Sequence, residues 1–308
     1  MRRALPLALL VLVACGGDDE AATTTTTSTT AAPTTTTTEP TTTTTTIDLE
    51  QQPAVADDPE ALAAQIEESE RQVRDPSVTG AALAQAAHLQ QLAYRKLGDN
   101  PGWDGAVEAV LPDDLREPMR RNVAAVRELR SLVRNPRPEL PAWRIVDAAP
   151  MEELRSYYEA GEAEFGVPWQ YLAAVNLTET RMGRLRGTST AGAQGPMQFI
   201  PSTWAAYGEG DIDSDRDAIR AAARYLAANG GGRGDIDYAL YRYNPTPKYV
   251  NAVKAYAEVM IADEAAYRGY YHWQVYYWST LGDVWLQVGY ERDSPRPVEA
   301  GDLDGTKG

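Results

Sequence analysis

The segment that decides the fold reads Gly192-Ala-Gln-Gly-Pro-Met-Gln-Phe-Ile-Pro-Ser-Thr-Trp204. It is a glycine-rich turn that leads into an apolar stretch with one amide side chain, Gln198. Helical patterns flank it, over residues 168–180 before it and 217–226 after it. No stretch before residue 270 alternates with a period of two, so we expect a mainly α-helical protein without a sizeable sheet in that part.

A carboxyl group lies on the apolar face of the helix that precedes this turn. Leu172, Val175 and Glu179 follow one another at steps of three and four residues, which places them on one side of the helix. Burial disfavours the charged form of a carboxyl group and raises its pKa, as a general acid requires. The alternative is structural, with Glu179 paired to one of three nearby arginines, Arg181, Arg184 and Arg186.

Together these features resemble the lytic transglycosylases of the goose-type lysozyme superfamily, especially the branch of membrane-bound lytic transglycosylase B. The matching elements lie between residues 151 and 265. In order they are Glu179, the glycine-rich segment, the helix Asp217-Ala-Ile-Arg-Ala-Ala-Ala-Arg-Tyr-Leu226, and Tyr243-Asn244 followed by Tyr249-Val250. The resemblance implies a lysozyme-like helical catalytic domain over residues 145–265.

The resemblance also implies a role for each matching position. Glu179 corresponds to the catalytic acid of the family. The positions implied to hold the sugar, line the groove or position the acid are Thr180, Met197, Gln198, Tyr243, Asn244 and Tyr249. Two positions depart from the family pattern: Thr180 replaces the Ser of many relatives, and Pro245-Thr246 follows Tyr243-Asn244 where other branches have Ala-Gly.

The reaction implied by the resemblance cleaves the β-1,4 bond between N-acetylmuramic acid and N-acetylglucosamine in peptidoglycan, without water and without a cofactor. Most glycosidases use two carboxyl groups. Here Glu179 alone would act first as the acid and then as the base, while the C6 hydroxyl of muramic acid closes a 1,6-anhydro ring. Two alternatives stay open, a hydrolytic muramidase on the same fold and a non-catalytic scaffold that binds the cell wall.

The acidic run at residues 209–217 is the nearest source of a second carboxylate or of a calcium site. Its alternating aspartates match the first three ligand positions of an EF-hand loop. However, Arg216 replaces the turn glycine and Ala222 stands at the twelfth position. We therefore expect no metal, and we interpret Ser214 or Asp215 as the cap of the next helix.

Composition excludes several functional classes. The 308 residues include 44 Asp and Glu against 29 Lys and Arg, which gives a formal net charge of −15. Because phosphate binding depends on clustered Lys and Arg, nucleic acid is not an expected partner. The single cysteine, Cys15, excludes a disulfide within the chain, and two histidines argue against a His-rich metal centre.

The beginning of the chain predicts a location outside the cytoplasm. The apolar run at residues 4–14 is too short to span a bilayer but suits a signal peptide, which we assign to residues 1–14. Leu12-Val-Ala-Cys15 resembles the bacterial lipobox, so we expect a lipidated Cys15 that anchors the protein to the cell membrane, facing the cell wall; the alternative is an ordinary signal peptide with an incidental cysteine. The Thr-rich residues 15–56 are expected to form a disordered tether.

Two further regions flank the expected domain. Residues 57–140 show helix signals at Asp58-Pro59, a helix that stops at Gly98, and an amphipathic helix after Pro112. Their role stays open between a spacer, a regulatory lid and a docking element for cell-wall proteins. We expect His88 on a helix surface in this region.

The last region, residues 266–308, is rich in aromatic residues. The stretches at 270–278 and 284–290 are interpreted as a two-stranded hairpin with a turn at Gly282-Asp283. We expect its aromatic side chains, together with His272, to pack against the catalytic domain. The alternative is that they are exposed and extend a sugar-binding groove.

Overall fold

The computed structural model describes residues 47–189 and 191–308. The predicted signal peptide, the lipidated Cys15 and most of the predicted tether lie outside the described residues. Of the helices in the described part, none combines the length and the apolarity that a bilayer span needs.

The described residues are mainly α-helical, as predicted. In chain order the α-helices are α1 (Pro59–Arg74), α2 (Gly80–Asp99), α3 (Asp104–Val110), α4 (Asp113–Leu132), α5 (Met151–Phe165), α6 (Trp169–Thr180), α7 (Pro201–Tyr207), α8 (Asp215–Ala228), α9 (Ile236–Tyr243), α10 (Pro247–Ala262) and α11 (Ala266–His272). The strands are short: β1 (Glu139–Leu140), β2 (Arg144–Ile145), β3 (Leu185–Arg186), β4 (Val275–Ser279), β5 (Gly282–Leu286) and β6 (Arg296–Pro297).

Helix ends follow from local chemistry. The carboxylate of Asp58 accepts a hydrogen bond from the Ala61 amide at the start of α1, and the Ser214 hydroxyl accepts one from the Asp217 amide at the start of α8. Of the two predicted candidates for this cap, Ser214 and Asp215, the structure shows Ser214. Gly98 does not stop α2, which continues to Asp99. A Cβ at Gly98 would lie 2.8 Å from Cγ1 of Val126, so this glycine lets α2 approach α4 closely.

The N-terminal helices and the expected catalytic domain share one hydrophobic core. Helix α4 packs along α10, which in turn packs on α6, and α2 contacts α4 and α11. Leu62, Val123, Leu172 and Val253 are all buried in this core. The stretch around residues 135–150 is held by two strand pairings: β1 pairs with β6, and β2 pairs with β3.

The C-terminal hairpin is present, but it is shorter than predicted. Strands β4 and β5 pair antiparallel with Tyr277 opposite Val284, and the turn lies just before Gly282. The residues before β4 form α11 instead of a strand. Tyr270 of this helix is buried, and its ring packs edge-on against the rings of Tyr256 and Trp273. The helical conformation of this segment directs Tyr270 towards these two neighbours.

The expectation that His88 lies on a helix surface is wrong. Its side chain is buried, its Nε2 atom lies 2.7 Å from the hydroxyl of Tyr276, and its ring packs against Trp285. Burial lowers the pKa of His88 to about 3, so the ring is neutral at pH 7. His88 thus fixes the hairpin on α2.

Candidate active site

Glu179 lies half-buried in the last turn of α6, at a cavity of about 230 Å³. Thr178 and Arg181 form the cavity wall on its own side. The facing walls come from α2, α4 and the hairpin, and their lining residues include Arg95, Leu129, Arg130, Tyr276 and Trp278. The carboxyl group is therefore enclosed by three separate parts of the chain.

Glu179 has one hydrogen-bond partner among the described side chains. The hydroxyl of Tyr249, in the first turn of α10, donates to Oε1 of Glu179 at 2.7 Å. The Tyr249 ring is buried and lies parallel to the ring of Tyr243, with the centroids 6.4 Å apart. Burial raises the pKa of Glu179 to about 7, although the bond from Tyr249 acts in the opposite direction. The group therefore populates both protonation states near neutral pH.

The three nearby arginines do not pair with Glu179. The guanidinium of Arg181 donates to the carbonyl of Leu177 at 2.5 Å, and that of Arg184 donates to the carbonyl of Arg181 at 3.3 Å. Arg186 pairs with the carboxylate of Asp215 at 3.1 Å. Each arginine has another partner among the described residues. The alternative interpretation, in which Glu179 forms a structural ion pair with one of these arginines, is therefore wrong.

Thr180 ties the end of α6 to the glycine-rich segment. Its buried hydroxyl donates to the carbonyl of Pro196 at 2.6 Å and accepts a bond from the Gly183 amide at 3.1 Å. The side-chain amide of Asn176 donates to the same Pro196 carbonyl at 2.9 Å. Thr180 thus has the geometry of a residue that holds Glu179 in position, with its hydroxyl already occupied by protein groups.

The glycine-rich segment folds into a tight turn beside α6. Gln194 and Phe199 exchange two backbone hydrogen bonds of 2.9 Å. Gly195 has φ +72°, and a Cβ on it would lie 2.0 Å from the carbonyl oxygen of Ile212, so only glycine fits. The buried amide of Gln198 donates to the carbonyl of Gly195 at 3.0 Å, which closes the turn internally.

Met197 and Tyr243 stand behind the groove wall instead of lining it. Both side chains are fully buried, and the Tyr243 hydroxyl donates to the Met197 carbonyl at 2.6 Å. Asn244 is also buried, and its backbone amide ends α9 by bonding to the Leu240 carbonyl. Of the predicted site residues, the structure therefore brings Tyr249 into direct contact with Glu179, and it gives Thr180, Met197, Gln198 and Tyr243 supporting positions.

The arginines of the facing wall were missed by the sequence interpretation, whereas its aromatic residues were considered only as an alternative extension of a sugar-binding groove. Arg95, Arg130 and Arg137 precede the expected domain, and Tyr276, Tyr277 and Trp278 follow it. The arginines of α4 and the aromatic run were both visible in the sequence. Nothing in their spacing connects them with Glu179, because their approach depends on packing between distant segments.

A second cavity of about 510 Å³ lies on the other side of Trp143, which lines both cavities. Its charged lining residues are Arg144, Arg186, Asp213, Glu291, Arg292 and Asp293. The glycine-rich segment reaches it through Gln194 and Gly195. This cavity is larger than the first, but Glu179 does not line it. The smaller cavity, which contains Glu179, is therefore the candidate active site.

Two carboxylates of the acidic run bond within their own loop. The Asp211 carboxylate accepts from the Asp213 amide at 3.0 Å, and the Asp217 carboxylate accepts from the Asp211 amide at 3.1 Å. In the described ranges no three His, Cys, Asp or Glu side chains are grouped to hold a metal ion.

Comparisons with known proteins match the part of the chain that contains Glu179. Residues 156–264 match the family described as Transglycosylase SLT domain. A curated relative, the membrane-bound lytic murein transglycosylase F of Thiobacillus denitrificans, is 32% identical over 77 residues, which cover 25% of this chain and 16% of the relative. No solved structure matches the chain significantly. The matched residues 156–264 include Glu179 and the glycine-rich segment, so this part of the chain is similar to the transglycosylase SLT domain family.

Proposed function

We propose that the protein is a peptidoglycan lytic transglycosylase with Glu179 as its single catalytic carboxyl group. The observation that carries the proposal is the setting of Glu179. It is the only acidic residue among the described residues that line its cavity, and its pKa of about 7 suits a group that must both give and take a proton. A glycosidase mechanism with two carboxyl groups would need a second one, and the described lining residues of this cavity include none besides Glu179.

The proposed reaction uses Glu179 twice. Protonated Glu179 donates its proton to the glycosidic oxygen as the bond from muramic acid C1 breaks. The resulting carboxylate then takes the proton of the C6 hydroxyl while that oxygen bonds to C1, so the carboxyl group is restored and no water is consumed. The Tyr249 hydroxyl stabilises the intermediate carboxylate by its hydrogen bond. Positioned proton transfer of this kind contributes about 10²–10⁴-fold to the rate.

The remaining predicted site residues act in this proposal by holding Glu179 and the glycine-rich turn. Thr180 joins α6 to the turn through Pro196, and Tyr243 joins the turn to α9 through Met197. Gln198 closes the turn, and Asn244 ends α9 next to the start of α10. A rigid support of this type keeps the acid within reach of the scissile bond.

The branch and the location are part of the same proposal. The order of four sequence elements supports assignment to the branch of membrane-bound lytic transglycosylase B. These elements are Glu179, the glycine-rich segment, the 217–226 helix and Tyr243-Asn244. The lipobox-like residues 12–15 support a lipid anchor at Cys15 on the outer side of the cell membrane, with peptidoglycan as the partner.

Digestion of purified peptidoglycan with the full-length protein, followed by mass spectrometry of the released muropeptides, tests the proposal. We expect 1,6-anhydro-muramic ends from the wild type and none from Glu179→Gln. Glu209→Gln is the matched control, because this glutamate is exposed and pairs with Arg220 and Arg224 on the surface. Reducing ends would indicate a hydrolytic muramidase, and no release at all would indicate a wall-binding scaffold.

A further inference from the structure

The cavity at Glu179 is unusually cationic for this protein. Four arginines line it, and Glu179 is the only acidic group among the described lining residues; the four are Arg95, Arg130, Arg137 and Arg181. The whole chain, in contrast, has a formal net charge of −15. The lining of this cavity is therefore opposite in sign to the net charge of the chain.

Two of these arginines are already paired. Arg95 and Arg130 share the carboxylate of Asp283 on β5, and Arg130 also bonds to Asp99 at 2.6 Å. Both guanidinium groups stack on hairpin rings, Arg95 on Tyr276 and Arg130 on Trp278, at 4.7 and 4.9 Å from the ring centroids. These two side chains are thus held in place as a fixed part of the wall.

The other two arginines have no carboxylate partner among the described residues. Arg181 is half-buried, and its guanidinium donates to the backbone carbonyl of Leu177. Burial lowers the pKa of Arg181, although the group remains a cation at neutral pH. Arg137 is half-buried at the end of the hairpin, where its backbone bonds to Trp278. A cation that is partly withdrawn from water without a counter-charge is costly, and an anionic ligand would remove that cost.

Apart from Thr178 and Thr180, the rest of the cavity wall is mainly apolar. It is formed by Val126, Leu129, Val133, Tyr256, Val275 and Tyr277. A ligand that fits this cavity therefore combines a carboxylate or similar anion with small apolar groups. The peptide that peptidoglycan carries on the lactyl group of muramic acid has this chemistry, since its alanines are apolar and its acidic residues carry carboxylates.

We propose that this cavity binds the peptide attached to the muramic acid next to the bond that Glu179 cleaves, with Arg137 and Arg181 as the contacts for a peptide carboxylate. The inference rests on the proposed function, because it places muramic acid at Glu179. Arginine suits this role because its planar fork matches a carboxylate with two parallel hydrogen bonds. Residues 57–140 and the hairpin thereby acquire a role in substrate selection.

Kinetics on two substrates test the proposal. Glycan strands with intact peptides are compared with strands from which an amidase has removed the peptides. In the full-length protein, Arg137→Gln is expected to raise KM for peptide-bearing strands about tenfold or more with little change in kcat, and to leave the KM for stripped strands unchanged. Arg127→Gln is the control, because Arg127 lies on the neighbouring helix α4 and pairs with Asp104 but does not line the cavity. An equal effect of Arg137→Gln on both substrates, or no effect on either, would overturn the proposal.

A binding measurement separates this inference from the proposed reaction. The dipeptide L-Ala-D-Glu is titrated into the full-length Glu179→Gln protein by calorimetry, which needs no turnover. Saturable binding that Arg137→Gln weakens about tenfold supports the peptide site even if no anhydro product is ever found. Absence of binding, or equal displacement of the dipeptide by inorganic phosphate, overturns it. The Arg137 variant carries the test because Arg181 also ends α6 in a left-handed conformation, at φ 53°, and its replacement can disturb folding.

Discussion

The hydroxyl of Tyr249 donates a 2.7 Å hydrogen bond to Oε1 of Glu179, although the two residues are 70 positions apart in the sequence. Two opposing effects act on the carboxyl group at this point. Burial favours its protonated form, and the bond from Tyr249 favours its ionised form. The resulting pKa of about 7 lets one residue act as acid and as base in the proposed reaction.

Tyr249→Phe is expected to move the alkaline limb of the pH profile to higher pH. The substitution removes the only hydrogen bond in the described residues that stabilises the ionised Glu179, so the pKa of Glu179 rises above about 7. Release of anhydro-muropeptides measured as kcat/KM between pH 5 and pH 9 checks this. Tyr271→Phe is the control, since its hydroxyl bonds to the Ala149 carbonyl. A limb that stays in place or moves to lower pH contradicts the assignment.

Glu179→Gln is expected to stabilise the fold at high pH only. The folded-state pKa of about 7 lies above the ordinary value of 4.5, so the folded state binds more protons between these values. The free energy of unfolding of the wild type therefore falls by up to about 3 kcal/mol as the pH rises from 4.5 to 7, whereas the variant lacks this loss. Urea unfolding of both proteins at pH 4.5 and pH 8 measures the difference. A stability gain of equal size at both pH values argues against a raised pKa.

Thr180→Val is expected to lower both stability and activity, whereas Thr180→Ser keeps most of each. Valine removes the hydroxyl that bonds to Pro196 and Gly183, and the loss of partners for buried groups costs about 1–3 kcal/mol. The turn then loses its connection to α6, so kcat should fall more than KM rises. Serine retains the hydroxyl. Unfolding curves and steady-state kinetics of the two variants check this, and equal behaviour of the two would show that the hydroxyl does not matter.

Gly195→Ala is expected to be much more destabilising than Gly192→Ala. Both glycines have left-handed backbones, with φ +72° and +80°, so an alanine costs about 1–2 kcal/mol at either position. A Cβ at Gly195 also meets the Ile212 carbonyl at 2.0 Å, whereas a Cβ at Gly192 has no neighbour within 4 Å. Thermal unfolding of the two variants measures the difference. Similar melting temperatures would mean that the glycine-rich turn is not packed as described.

Asp283→Asn is expected to loosen the cavity wall. The change leaves the guanidinium groups of Arg95 and Arg130 close together without their shared carboxylate, at a cost of about 2–4 kcal/mol. Asp237→Asn is the matched control, because Asp237 pairs with Lys254 on the surface, where ion pairs contribute little. Stability and anhydro-muropeptide release should both fall in the first variant and stay near wild type in the second. Unchanged activity in Asp283→Asn would show that the cavity wall held by Asp283 is not needed for catalysis.

Much of the fold was accessible from local sequence patterns. The apolar steps and caps predicted the main helices, and Glu179 was found because it continues the apolar face of Leu172 and Val175. His88 was expected on the surface, but its position is decided by Tyr276 and Trp285, which are far away in the sequence. Gly98 was expected to end α2, but the helix continues to Asp99, and the glycine instead allows the close approach of Val126 on α4.

The sequence alone determined most of the helical segments, the place of the glycine-rich turn and the carboxyl group that is the candidate acid, because spacing, capping and backbone preferences act over a few residues. Only the tertiary structure decided the partner and the pKa of Glu179, the buried positions of Met197 and Tyr243, and the cationic wall built by α2, α4 and the hairpin. These features depend on contacts between distant residues, such as Arg95 and Asp283, which are 188 positions apart. Such contacts arise from the packing of the whole chain, and no local sequence pattern encodes them.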